Sequence, residues 1–250
     1  MIFIITFIAT LIGSIFGIGG GVIIKPTLEA FTNYSLSQIN ALSGITVLAM
    51  ASVSTYKYLK SGLKINKELI LLSVGASIGG FLGKELFDYL ILNVDQISAK
   101  TFQYLMIIFV LLVVLYKNKF RSHNVKNNIV LMLSGLIMGT ISAFLGIGGG
   151  PLNILILYIL FSINSKKSAL YSVFVIFFSQ LTLTILSIFS MSYSGLNLEP
   201  LMYMIPAAIV GGIIGPVFHK VWNMKVFERN FSLLMIGLAI LNIYNIVKLY

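Results

Sequence analysis

The stretch FGIGGGVIIKP, residues 16–26, cuts an apolar run, and LGIGGGPLNIL, residues 145–155, cuts another in the same way. Four glycines in five positions break a helix, since each costs about 1 kcal/mol in a helix interior and takes positive φ freely. Hydrocarbon offers no water to the backbone groups such a break releases. A helix that restarts after the glycines therefore points N–H groups and the positive end of its dipole at a gap suited to a small anion. Pro151 follows the second run at a first-turn position, where its missing N–H is harmless.

The surroundings say what solvent the break sits in. Of 250 residues, 58% are hydrophobic and 10% charged, and mean hydropathy is +1.00. Apolar runs of about twenty residues recur to the end, the length a bilayer requires, whereas soluble domains carry about 25% charge. The chain is expected to be a polytopic membrane protein of the all-α class, because the alternating pattern of a membrane barrel is missing. The opening MIFIITFIATLIGSIFG has no basic n-region and is taken as structure rather than a signal. There is no cysteine, and His123 and His219 are the only imidazoles, so no disulfide, thiolate chemistry, metal site or cofactor is expected. The net charge of +10 lies in short connectors, which speaks for membrane topology and against nucleic acid.

The chain repeats itself. At a spacing of 129, Gly17, Gly19, Gly20 and Gly21 fall on Gly146, Gly148, Gly149 and Gly150, and Ser43 falls on Ser172. At 132 to 133, Ser61-Gly62-Leu63 meets Ser194-Gly195-Leu196, and Gly79, Gly80 and Gly83 meet Gly211, Gly212 and Gly215. One transmembrane domain over 1–250 is expected, with repeat one at about 1–120 and repeat two at about 128–250. Each repeat reads as a glycine-cut stretch and three full spans: 2–16 with 22–31, then 39–57, 68–88 and 99–117; 128–145 with 151–162, then 168–190, 200–219 and 231–248.

Basic residues orient these spans. Four connectors, around Lys57 to Lys67, Lys117 to Lys126, Lys166 to Lys167 and Lys220 to Arg229, hold 13 of the 17 Lys and Arg and are placed in the cytoplasm. Ser61-Gly62-Leu63 lies in one of them, while its partner at 194–196 lies in a connector without a basic residue. The repeats are thus expected to be inverted, which requires an odd number of crossings per repeat. The glycine-cut stretch then enters and turns back, with both termini outside. Residues 2–31 as one helix would run about 45 Å against a core of roughly 30 Å, and each arm alone about 15 to 22 Å.

Polar residues inside the apolar segments are the other candidates. Lys25 is an intramembrane cation able to draw an anion to the first hairpin, or else a snorkelling lysine paired with Glu29 one turn on. Asn153 and Ile154 stand near the equivalent place in repeat two. Ser43 and Ser172 either complete an anion's shell or bond their own helix. Gly75, Gly79 and Gly83, and Gly135 and Gly139, have the spacing of helix-packing seams. His219 and Trp222 read as interfacial.

With its paired GIGGG runs, the later G-G-x-x-G segments and the serine-bearing span after each hairpin, the sequence resembles the sulfite exporter family, the TauE/SafE group of transporters. The resemblance implies secondary transport of sulfite, sulfonates or another sulfur-containing or organic anion across a prokaryotic cytoplasmic membrane. The site would lie on Gly17 to Gly21 and Gly146 to Gly150, with proton coupling an option. Pro151 directly after the second run departs from the first half, whose proline waits until Pro26. Alternating access by two rocking halves is the expected mechanism. A passive anion channel is the alternative, and an intramembrane hydrolase a remoter one, since no nucleophile with a base is placed for catalysis. The particular anion, the direction, the coupling ion and the oligomeric state are open at this level.

Overall fold

The computed structural model describes residues 1–249, with every side chain but that of Asn118. Its regular elements there are helical: α1 Ile2–Phe16, α2 Gly21–Phe31, α3 Leu36–Lys60, α4 Lys67–Asn93, α5 Gln96–Leu115, α6 Asn128–Leu145, α7 Gly150–Phe161, α8 Ser165–Phe189, α9 Leu201–Val221 and α10 Met224–Leu249, with a 3-10 turn at Lys117–Lys119. Among the described residues seven helices are long and apolar enough to cross a membrane: α3, α4, α5, α6, α8, α9 and α10. Helices α1, α2 and α7 have 15, 11 and 12 residues, or about 22, 16 and 18 Å. The two glycine-cut stretches are unequal, because α6 has 18 residues against the 15 of α1.

All the long helices but α9, which starts after Pro200, begin where a polar side chain satisfies an orphan amide. Ser35, Asn66, Asp95, Asn127, Asn164 and Asn223 accept from the N–H groups of Gln38, Leu69, Ser98, Ile129, Lys167 and Val226. The outer surface is apolar at helical spacing: Leu105, Phe109 and Leu112 on α5 and Ile236, Ile240 and Ile243 on α10 are exposed, as faces against acyl chains should be.

The two sets of five helices interlock. Helix α4 packs along α6 and α9 along α1; α4 also meets α8, and α9 meets α3; α3 and α8 touch each other, as do α5 and α10. Each of these contacts made by an element of one set is answered by its counterpart in the other. Glycines permit the closest pairs: a Cβ on Gly75, Gly79 or Gly83 would overlap the carbonyls of Met132, Leu136 or Thr140, and one on Gly211 or Gly215 would run into Thr10 or Ser14. Without a hydrophobic force between helices in lipid, such backbone approach is how they associate.

At the end of the bundle where α8 and α10 begin, Lys117 is buried. It hydrogen-bonds Ser165 and pairs with Glu228 at 2.7 Å, between the rings of Tyr158 and Phe231. Burial pushes its pKa down and Glu228 works against that shift. His219, in the last turn of α9 beside Lys220, is 4% exposed, and its Nδ1 lies 2.8 Å from the Ile15 carbonyl oxygen. Trp222 likewise packs inward, against Phe16. Helix α9 turns both toward α1, a packing choice invisible in a local hydropathy pattern.

Candidate functional site

Helix α1 ends because Gly17 takes the left-handed conformation, φ 70°, with its N–H returned to the Gly13 carbonyl; Gly146, φ 63°, also left-handed, ends α6 with its N–H on the Ala143 carbonyl. After these caps the chain runs through Gly19 and Gly20, or Gly148 and Gly149, all at positive φ, before a short helix restarts. The two loops are buried and face one another. A Cβ on Gly19 would lie 2.6 Å from the Gly148 carbonyl oxygen, one on Gly21 2.7 Å from that of Ile147, and one on Gly150 3.3 Å from that of Ile18. Among the described residues the N–H groups of Gly19, Gly20, Gly148 and Gly149 have no hydrogen-bond partner.

The serines brace this crossing reciprocally. Ser43 of α3 donates to the Gly146 carbonyl at 3.0 Å, and Ser172 of α8 to the Gly17 carbonyl at 2.6 Å. Neither bonds its own helix. Each span thus holds the glycine loop of the other half, and all four groups are fully enclosed. Asn153 of α7 is buried over the second loop, its Nδ2 2.6 Å from where a Gly149 Cβ would stand and its Oδ1 without a partner.

Buried amide-lined loops, held between facing spans inside a multi-pass helical bundle, are an arrangement suited to small-solute passage. Residues 2–241 match the family described as Sulfite exporter TauE/SafE. The chain belongs to the TauE/SafE sulfite exporter family. It is also 22% identical, over 92% of its own length and 92% of the other's, to the protein named "Probable membrane transporter protein YunE" of Bacillus subtilis (strain 168). No solved structure matches it. The chain is accordingly a multi-pass membrane transporter.

In this TauE/SafE chain Lys25 does not snorkel. It is wholly buried, and its ammonium donates to Asn40 Oδ1 at 2.8 Å, to the Leu145 carbonyl at 2.7 Å and to Gln103 Oε1. Leu145 precedes the second glycine run, so the cation of the first hairpin serves the second. No ion pair joins it to Glu29 among the described residues. Asn40 and Gln103 are the partners that sequence reasoning left out. Asn40 shares a helix face with Ser43, and Gln103 is a carboxamide at the head of the apolar run of α5, a usable sign. Gln103 Nε2 also donates to the Phe144 carbonyl at 2.8 Å, fixing which end of the amide meets the lysine.

Two cavities approach the crossing. One, of about 90 Å³, is lined by Asn40, Lys84, Asp88, Gly146, Ser187 and Tyr193 and so touches the second loop; Lys84 and Asp88 pair at 2.6 Å on its wall. The other, of about 320 Å³, is lined by Tyr58, Lys166, Leu170, Pro216, His219 and Lys220. It stops short of Gly17. There the Tyr58 hydroxyl donates to the Ser14 carbonyl at 2.7 Å beside the His219 contact with Ile15.

Proposed function

We propose that this transporter carries a small sulfur-containing or organic anion, sulfite or a sulfonate, by alternating access, with the facing glycine loops as its site. The observation that carries the reading is the set of unpaired amides at Gly19, Gly20, Gly148 and Gly149, on two loops that pass too close for a Cβ on Gly19 or Gly21 and are adjoined by the Lys25 ammonium. Preorganised N–H donors beside a cation in a dry setting favour an oxyanion over a neutral solute. Gly17, Gly21, Gly146 and Gly150 shape the loops, Ser43 and Ser172 hold them, and Asn153 lends a carboxamide.

The halves are read as inverted, and the cavities support this. Ser37 and Ala41 of the first cavity correspond to Lys166 and Leu170 of the second at a spacing of 129, and Lys84, Phe87 and Asp88 to Pro216, His219 and Lys220 at 132. Two mouths built from corresponding residues, one open to its loop and one shut by Tyr58 and His219, describe a single side of a rocking cycle.

The deciding experiment titrates the purified protein with sulfite, thiosulfate, sulfoacetate, sulfate and acetate while following its melting temperature. Saturation at about 100 times Kd adds about 2.7 kcal/mol, so at least one sulfur oxyanion should raise Tm clearly. No shift with any of them, and no flux of any in liposomes, would end the proposal. The inversion has its own check. Since the chain has no cysteine, Ser187→Cys and Leu170→Cys each report alone; an impermeant thiol reagent should reach the first only from outside and the second only from the cytoplasm. Labelling of both from one face rules the inversion out.

A further inference from the structure

Glu29 stands one turn beyond Lys25 on α2. Both of its carboxylate oxygens are buried and without a hydrogen-bond partner, facing the Tyr104 side chain. It borders a cavity of about 260 Å³ whose other walls include Asn33, Lys100, Tyr104, Asn245 and Lys248. The fold does not call for a carboxyl there. At the 129-residue spacing the second half places Ile154 and Tyr158 where the first has Lys25 and Glu29, and builds an equivalent short helix. Ionisable groups buried at membrane depth are costly unless used.

We propose that Glu29 is a proton-binding site that loads together with the anion; this rests on the anion site proposed above. Charge balance is the reason. With the glycine loops empty, the Lys25 ammonium and the Glu29 carboxylate offset one another along one helical turn. An anion arriving beside Lys25 leaves an uncompensated negative charge in low dielectric, which one proton on a Glu29 oxygen removes. Nothing covalent changes: the proton comes from water in the cavity and returns to water.

The cavity wall favours a proton over a metal cation. The Asn245 amide donates to the Pro26 carbonyl at 2.9 Å, which leaves its Oδ1 also without a partner. Two buried acceptors in one cavity lack a donor, and a carboxyl O–H supplies one. Lys248, which donates to the Ala30 carbonyl at 2.6 Å, and Lys100 line the same space and oppose a second cation there. The titratable and charged groups about Glu29 are thus Lys25 on its own helix, Tyr34 just beyond that helix, Lys100 and Tyr104 of α5, and Lys248 of α10, with the Asn245 amide beside them. Helix α1 has no titratable side chain, and those of α3 stand at its far end, from Tyr56 on.

The first test needs no transport. A hydrophobic carbodiimide, which reacts with protonated buried carboxyls, is applied to the full chain in liposomes across a pH series and the adduct located by peptide mass. Glu29 should be modified in acid, with the yield falling about tenfold per pH unit above the group's own pKa. Absence of a Glu29 adduct at every pH overturns the proposal. The second compares labelled sulfite uptake driven by a pH gradient with exchange at equal pH. In Glu29→Gln the ratio of gradient-driven uptake to exchange should fall at least about tenfold, and Glu29→Asp should restore it. A ratio equal to that of the unmodified protein, or a sodium gradient driving uptake instead, overturns it. Failure of the anion site would show differently, as Glu29 labelling that stays pH-dependent while every anion leaves Tm unmoved.

Discussion

Valine at position 149 should abolish anion-induced stabilisation and flux while the protein still inserts and purifies. Gly149 holds φ 92° and ψ −51°, outside the regions open to an L residue, so any side chain there is strained, and β-branching adds to it. A Cβ there would meet Asn153 Nδ2 at 2.6 Å and Ile176 Cγ1 at 2.9 Å, both side-chain atoms rather than backbone. Such neighbours can move, so the fold survives while the amide that should face the anion is displaced. The expected loss in affinity is at least about 100-fold, or about 2.7 kcal/mol, checked by the sulfite-dependent shift in Tm. Gly20→Val should act in the same direction, since Gly20 also has positive φ and lies against Thr10. Gly17→Ala is the contrast. Its Cβ would collide with the backbone of Ala169, which cannot yield, so the expected outcome is loss of folded protein. A Gly149→Val protein that binds and carries anions normally would remove the loop from the mechanism.

Lys25→Met should produce the largest stability loss of any single polar substitution in the bundle. Three acceptors, Asn40 Oδ1, Gln103 Oε1 and the Leu145 carbonyl, are left buried and bare. Each unsatisfied group costs about 1–3 kcal/mol, so a total of roughly 3–5 kcal/mol is expected after relaxation. A thermal melt in detergent measures it. Lys25→Arg should not restore the wild-type Tm, because a planar guanidinium does not reproduce an ammonium's three convergent donors. If Lys25→Met melts with the unmodified protein and keeps its anion response, the ammonium neither organises the second loop nor contributes to the site.

Particular elements show how far the sequence carried and where it stopped. The breaks at 17–21 and 146–150 were legible because glycine clustering in apolar surroundings has few other uses, and helices do stop at Phe16 and Leu145. The reach of Lys25 was not. Its helix neighbour Glu29 suggested a local pair, whereas the ammonium bonds residues 15, 78 and 120 positions away. Ser43 and Ser172 were legible as a matched pair, but which carbonyl each would meet was not, since a serine in a helix has its own carbonyls as ready alternatives. The partner of His219 was not legible for a related reason: nearness to a span end and to Lys220 says nothing of which way α9 turns.

Taken alone, the order of residues determined the class of solvent, the helical fold and the two points where helices break, because each depends on composition and spacing over short range. Only the tertiary structure decided that the halves interlock, that the loop of one is held by the serine of the other, and that the first hairpin's cation serves the second. The serine and lysine contacts join residues more than a hundred positions apart, and the close backbone approach of glycine-bearing helices, rather than any local preference, chooses how the halves meet.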